Sequence, residues 1–347
     1  MNNYQLYNVQ LCNDSFNEKT LSLELFSLIV HCQLSIILGA YMKKDLLKMD
    51  DLSKDEILDI LNLADQLKYE QKHDIEHHHL KGKSLGMIFE KSSTRTRVSF
   101  EVGMYQLGGN SLFLTDRDLQ IGRGEPIEDT ARSLSRFLQG IMIRTFSQEE
   151  AEKLSKYSSI PIINGLTDDE HPCQVLADLM TIRENKNILE GLKVAFIGDG
   201  NNMANSLMIG CLKVGMNFSI ASPKEYTSSD KYLDRAKEIA EKEGVNFTVT
   251  TSPSEAAKDA DVLITDVWAS MGHEEEAETR AKAFQGFQMN KELMAVADKN
   301  VMVLHCLPAH RGEEITSEVL EEHADAIFDE SENRLHAQKA VLVKLMK

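Results

Sequence analysis

Residues 85–107 read LGMIFEKSSTRTRVSFEVGMYQL, and the order of chemistry within them predicts a strand, a turn and a helix. The run from Leu85 to Phe89 is apolar and too short for a helix, so it reads as a buried strand. Ser93-Thr94-Arg95-Thr96-Arg97 follow, and Val98, Phe100, Val102, Met104 and Leu107 then form an apolar-periodic run. A helix start presents unpaired backbone N–H groups and the positive end of the helix dipole, and both favour an anion. The hydroxyls of Ser93, Thr94 and Thr96 add donors, while Arg95 and Arg97 bring planar forks suited to phosphate oxygens. The stretch reads as a phosphate cradle that lacks the Gly-rich loop and the Lys of a P-loop.

The alternation continues in both directions. Ser53-Lys54-Asp55-Glu56 has capping-box spacing, and Ile57, Leu58, Ile60, Leu61, Ala64 and Leu67 follow at helical intervals. Further strands are predicted at residues 111–114, 140–144, 160–163, 193–198, 218–221, 246–250, 262–265 and 301–305. Helical patterns at 127–137, 174–183, 203–214 and 231–242 separate them. Strand, helix, strand, repeated, predicts an α/β protein with parallel sheets and helices on both faces. The polar residues 184–187 and Gly191 mark the boundary between two such units, 42–183 and 184–330. Ligands of these folds sit outside the carboxyl ends of the strands, so the chemistry belongs at strand-to-loop junctions.

The whole chain agrees with two domains. Its 347 residues are 42% apolar, and at roughly 150 residues per domain each unit can bury its own core. Lys and Arg number 38 against 55 Asp and Glu, a formal charge of −17 that argues against a nucleic-acid backbone binder. Five Cys without C-x-x-C spacing read as reduced thiols of a cytoplasmic protein, which excludes a disulfide scaffold or zinc ribbon. Residues 1–41 stand apart. Glu24, His31 and Gln33 interrupt their apolar stretch, which argues against a membrane span, and they contain no Arg and no basic start for a targeting segment. They read as an extension of unassigned role, with Met42-Lys43-Lys44 a candidate start.

Four more junctions carry polar chemistry. His171-Pro172-Cys173-Gln174 opens a helix, with Pro172 at the first turn, where its missing N–H costs little. Gly198-Asp199-Gly200-Asn201-Asn202-Met203 invites a dinucleotide reading, but Met203 stands where the third Gly is needed, and the Asn pair better suits a small polar substrate. In Asp266-Val267-Trp268-Ala269-Ser270-Met271-Gly272, Asp266 suits an ammonium, and Ser270 with the backbone beside Gly272 suits a carboxylate. In His305-Cys306-Leu307-Pro308 the Cys is a nucleophile, a metal ligand or a polar wall. No second Cys or His at ligand spacing supports a metal there. His77-His78-His79 sits in a charged loop, and adjacent residues do not share one face, so it carries no metal reading.

Taken together, these motifs resemble the transcarbamoylase family, and within it the ornithine branch, from about Met42 to the C-terminus. His305-Cys306-Leu307-Pro308 and Ser270-Met271-Gly272 point to that branch. The resemblance implies a carbamoyl-phosphate domain (42–183), an ornithine domain (184–330) and a C-terminal helix (331–347) returning to the first, so that terminal helices bridge the two. It implies a homotrimer with shared active sites, carbamoyl phosphate and L-ornithine as substrates, and no cofactor, metal, nucleic acid or membrane partner. Ser93, Thr94, Arg95 and Thr96 would then hold the phosphate with Arg144 and the late Arg334, and Gln120 would be lent to the adjacent subunit. His171 and Gln174 would contact the carbamoyl group. Asn202, Asp266, Ser270 and Met271 would grip ornithine, and Cys306 and Leu307 would form the catalytic turn. The motif leaves open whether Asn201 or Asn202 faces the substrate. Other acceptors such as putrescine, a nicotinamide-dependent dehydrogenase and a catalytically silent relative are the competing readings.

Overall fold

The computed structural model describes residues 44–115, 119–120, 124–269 and 274–347. In chain order the first half runs α1 (Lys54–Lys72), β1 (Ser84–Phe89), α2 (Thr94–Gln106), β2 (Asn110–Thr115), α3 (Ile127–Leu134), β3 (Gly140–Arg144), α4 (Gln148–Tyr157), β4 (Ile162–Leu166) and α5 (Pro172–Lys186). The second half runs β5 (Lys193–Ile197), α6 (Asn202–Lys213), β6 (Asn217–Ala221), α7 (Asp230–Glu243), β7 (Phe247–Thr250), α8 (Pro253–Ala257), β8 (Val262–Thr265), α9 (Ala277–Ala283), α10 (Lys291–Met294), β9 (Met302–His305), α11 (Ser317–Glu322) and α12 (Ala324–Met346).

All pairings between these strands are parallel, in the orders β2-β1-β3-β4 and β7-β6-β5-β8-β9. In each sheet the chain winds outward from one strand and then returns to that strand's other side. The reversals fall between β1 and β3 and between β5 and β8, which opens a crevice at the carboxyl ends of each pair. The strands alternate as a two-faced sheet requires. Val194 and Phe196 join a core shared with the first half, while Ala195 and Ile197 join a separate cluster with Leu263, Phe284 and Val303. Ile88, Ile141 and Ile143 form the matching outer cluster of the first sheet with Ala131 and Leu154. The shared core runs through α5 and α6, whose faces are buried nearly all round, as helices between two layers should be.

Local signals explain most boundaries. Ser53 caps α1, its Oγ accepting from Glu56 N while Ser53 N donates to Glu56 Oε2. The strand expected at 160–163 instead begins after Pro161, which has no N–H for the ladder, and continues through Asn164 and Gly165. Asn164 is tolerated there because its amide donates to Leu47 O (2.8 Å). Helix α3 stops at Leu134, short of residue 137, where Ser135 Oγ donates to Ala131 O and competes with the helix. The final helix starts at Ala324, seven residues before the expected 331, and packs on α1, α2 and α5 of the first half and on β9 of the second. On α2 the buried face carries Thr96, Ser99, Phe100, Gly103 and Met104, while Val98 is exposed, so the apolar run did not mark the true face. His77, in the loop before β1, is buried and bonded through Nε2 to the buried Lys339 Nζ (2.8 Å). No helix among the described residues is long and apolar enough to cross a membrane.

Candidate functional site

The two crevices face one cavity of about 320 Å³. Its lining includes Ser93, Thr94, Arg95, Thr96, Arg144, His171, Gln174, Asn201, Asn202, Asp266, Cys306, Leu307 and Arg334, drawn from six strand-to-loop junctions and α12. The phosphate cradle and the 305–308 turn, 210 positions apart in sequence, thus share one space.

On the first side, Ser93 caps α2. Its Oγ accepts from Thr96 N (3.3 Å) and donates to Thr96 Oγ1 (3.0 Å), which fixes the first turn and points its N–H groups toward the cavity. Arg334 Nη2 also donates to Thr96 Oγ1 (3.1 Å), and its Nη1 donates to Gln174 Oε1 (2.7 Å). With its amide oxygen toward Arg334, Gln338 accepts from Nε (3.1 Å) and Nη2 (3.0 Å) and donates to Ser99 Oγ. Arg144 stands at the end of β3, beside a bulge where Ile143 pairs with Asn164 but Arg144 pairs with Leu166. Burial, then Arg334 and Arg95, lower its pKa to about 10, so it remains a cation at neutral pH. His171 caps α5, with its backbone N donating to Ser206 Oγ (2.8 Å). Burial and the two arginines Arg334 and Arg144 push its imidazole well below the ordinary range, so the ring is neutral. Its Nδ1 is buried and meets no partner among the described residues.

On the second side, Asp266 follows β8 and Cys306 follows β9. The Cys306 thiol donates to Asp266 Oδ1 (3.1 Å), which also accepts from Val267 N (2.8 Å), while Oδ2 accepts from Asn201 Nδ2 (3.0 Å). Burial, then the Asp266 carboxylate, hold the thiol far above its usual pKa, so it is no thiolate. Asn201 caps α6, its Oδ1 accepting from Met203 N and Ala204 N, whereas Asn202 Nδ2 donates to Thr167 O (2.7 Å). Both asparagines line the cavity, so the ambiguity between them becomes one of role: Asn201 orients Asp266, and Asn202 reaches back to the first half. Leu307 sits at φ +55°, a left-handed conformation costly for a branched residue and a marker of a site held by its surroundings. Gly200 is present for packing: a Cβ there would lie 2.1 Å from Ser228 N.

Some expected residues stand elsewhere. Arg97 lies outside the cavity, paired with Glu101 (3.0 Å) and stacked over Phe113 at 3.7 Å, so only one arginine of the pentapeptide serves the cradle. Gln120 is exposed and does not line this chain's cavity. Ser270 and Met271 lie outside the described residues. Asp266, His305 and Cys306 bring their ligating atoms within 4.8 Å, a proximity the spacing did not reveal. Both ring nitrogens of His305 are nevertheless engaged, Nε2 with Glu314 (3.1 Å) and Nδ1 with Leu307 N (2.9 Å), so a metal there would have to break the turn. The sequence reading also missed Lys91, buried and paired with Asp168 at the cavity wall, and Asp199, bound by Arg280 Nη1 (2.7 Å). It missed Asp178 and Glu330, whose signal was present: Gln174 and Asp178, like Glu330 and Arg334, are four apart on a helix and so share a face.

A cavity with a cationic, hydroxyl-rich wall on one sheet and a carboxylate–thiol wall on the other defines a two-substrate α/β enzyme with a phosphorylated ligand. The aspartate/ornithine carbamoyltransferase carbamoyl-P binding domain matches residues 44–184, and the Asp/Orn binding domain of the same family matches residues 190–345. The chain belongs to the aspartate/ornithine carbamoyltransferase family. It is 55% identical over 306 residues to an ornithine carbamoyltransferase of Methanosarcina acetivorans, covering 88% of this chain and 100% of that one. It is 56% identical over 303 residues to one of Anoxybacillus flavithermus, covering 87% and 96%. The solved ornithine carbamoyltransferase of Pyrococcus furiosus superposes with a TM-score of 0.84 at 50% identity, covering 88% of this chain and 97% of that one.

Proposed function

We propose that the protein transfers the carbamoyl group of carbamoyl phosphate to the δ-amine of L-ornithine, giving L-citrulline and phosphate. The observation that carries this reading is the single cavity with Arg95, Thr96 and Arg334 on one wall and Asp266 with Cys306 on the other. Ser93, Thr94, Arg95 and Thr96 hold the phosphate at the start of α2. Arg144, the neutral His171 and Thr96 donate to the carbonyl oxygen as it gains charge, an effect worth about 3 kcal/mol per well-placed donor. Thr96 Oγ1 accepts from both Ser93 and Arg334, which leaves its own proton for that oxygen. Once the bound ammonium has lost a proton to solvent, the amine lone pair forms the new C–N bond, the carbon–oxygen bond to phosphate breaks, and the second proton of the amine leaves with the departing phosphate.

Ornithine's δ-amine is mostly protonated in water, with a pKa near ~10.4 by analogy with Lys. Asp266 receives it, and the neutral Cys306 thiol, already committed to Asp266, positions it without forming an acyl intermediate. Asn202, Ser270 and Met271 complete the grip on the amino acid, with residues 42–183 as the donor domain and 184–330 as the acceptor domain. The same proposal takes the protein as a cytoplasmic homotrimer of arginine biosynthesis, in which Gln120 enters the neighbouring subunit's site. Its test is citrulline formation by the full chain with ornithine and putrescine as rival acceptors. Ornithine is expected to be strongly preferred; equal or better turnover with putrescine overturns the assignment.

A further inference from the structure

Beneath the cavity, Gln174 Nε2 donates to two buried carboxyl groups at once, Asp178 Oδ1 (2.8 Å) and Glu330 Oε1 (2.8 Å). Glu330 Oε2 accepts from His305 N (2.9 Å), at the start of the 305–308 turn. Asp178 Oδ2 is buried and is reached by no N–H or hydroxyl donor among the described residues, and the Asp178 and Glu330 carboxyl groups lie within hydrogen-bonding reach of each other. The nearest cation does not neutralise the pair. Arg334 directs its N–H groups to Gln174, Thr96 and Gln338, all neutral partners. The other ionisable groups that act on this pair or feel it, among the described residues, include Asp266 and the thiols of Cys306 and Cys211, none of them cationic. Two full negative charges, desolvated and without an ion-pair partner, are too costly to coexist.

We propose that Asp178 and Glu330 share a single proton, and that this carboxyl pair is a clasp holding Gln174 and Arg334 of the donor side in register with the 305–308 turn of the acceptor side. The proton fills the one gap in the hydrogen-bond count, lying between Glu330 and Asp178 Oδ2. Burial pushes both carboxyls up, Asp178 to about 7 and Glu330 well above the ordinary range, in agreement with that count. The pair touches neither reactant, so both are positioning residues. They act through Gln174 and Arg334 on one side and through the backbone of His305 on the other. The inference rests on the carbamoyl-transfer reading of the cavity only for its kinetic consequence, not for the proton itself.

The test uses the full chain as wild type and as Asp178→Asn, Glu330→Gln and Glu330→Ala. A wild-type-minus-variant infrared difference spectrum at neutral pH should show a protonated-carboxyl C=O band for each amide variant, because the remaining group ionises, while the contribution of Glu170 cancels. Each amide reproduces a protonated carboxyl, so each single amide variant should keep kcat within about threefold. Glu330→Ala leaves Gln174 and His305 unheld and should lower kcat about 100-fold, as expected when reacting groups shift by an ångström. No such difference band for either amide variant overturns the shared proton. Full kcat in Glu330→Ala, or amide variants as damaged as Ala while folded, overturns the clasp; if Glu330→Ala does not fold, the amide variants decide. The band intact in a wild type that makes no citrulline would instead count against the function proposed above.

Discussion

Cys306 and Asp266 form a thiol-to-carboxylate hydrogen bond of 3.1 Å across two neighbouring strand ends, with the sulfur as donor. A thiol held in its protonated form by a carboxylate is a poor nucleophile, because the thiolate is the attacking species. Cys306→Ser retains an O–H donor to Asp266 and is expected to lower kcat roughly tenfold, the size of one altered hydrogen bond. Mass spectrometry of the wild type during turnover should find no carbamoylated Cys306. A trapped carbamoyl-enzyme with an inactive serine variant would reverse this assignment.

Arg95 and Arg97, two positions apart, should behave oppositely. Arg95 lines the cavity, and its replacement by Ala should raise KM for carbamoyl phosphate by about 10- to 100-fold, the loss of a charge-assisted hydrogen bond. Arg97 is paired with Glu101 on the exposed face of α2, and Arg97→Ala should change that KM by less than about twofold. Thermal unfolding of both variants should stay close to wild type, and equal kinetic effects would contradict the geometry.

His171 is neutral because it is buried between two arginines. Its ring should stay unprotonated as pH falls through the ordinary histidine titration. An NMR titration of imidazole-labelled protein should show no protonation step over that range for the ring whose signal is absent in His171→Gln. A normal titration near 6.5 would place the ring outside the cavity.

Glu170, next to His171, accepts from Ser206 Oγ (2.6 Å), and burial raises its carboxyl to about 7 from an unperturbed 4.5. The folded protein therefore holds more protons than the unfolded chain between those values. The sign follows: this group's contribution is complete below about pH 4.5 and is lost as pH rises through about 7, an effect of at most about 3 kcal/mol. Denaturant unfolding of the wild type between pH 5 and pH 8 should show that decline, and Glu170→Gln should flatten it.

Much of the fold was legible because apolar runs of strand length alternate with helical periods, and all nine strands follow from that. The failures have local causes. Asn164 and Gly165 hide a strand end because a buried amide bonded to Leu47 O is invisible to a hydrophobic pattern. Val98 misled because α2 buries Ser99 and Gly103, small residues that let α12 approach, with Lys339 Cγ 3.2 Å from where a Gly103 Cβ would stand. At the site, the cradle and the Cys306 turn were readable as motifs because each lies in one continuous stretch. Asp178 and Glu330 left only a four-residue spacing to Gln174 and Arg334, and Lys91 left none, since their roles arise only where α5, α12 and the loop after β1 meet. The juxtaposition of Asp266 with Cys306 likewise needs β8 and β9 to be neighbours.

Each sheet reverses its winding at its own crevice, so the donor wall and the acceptor wall are specified by different loops. The consequence is evolutionary: the nucleophile can be exchanged by rewriting the loops after β5 and β8 while the anhydride-binding half is inherited unchanged. A lineage, or an engineer, can thus diversify acceptors on a constant activated donor.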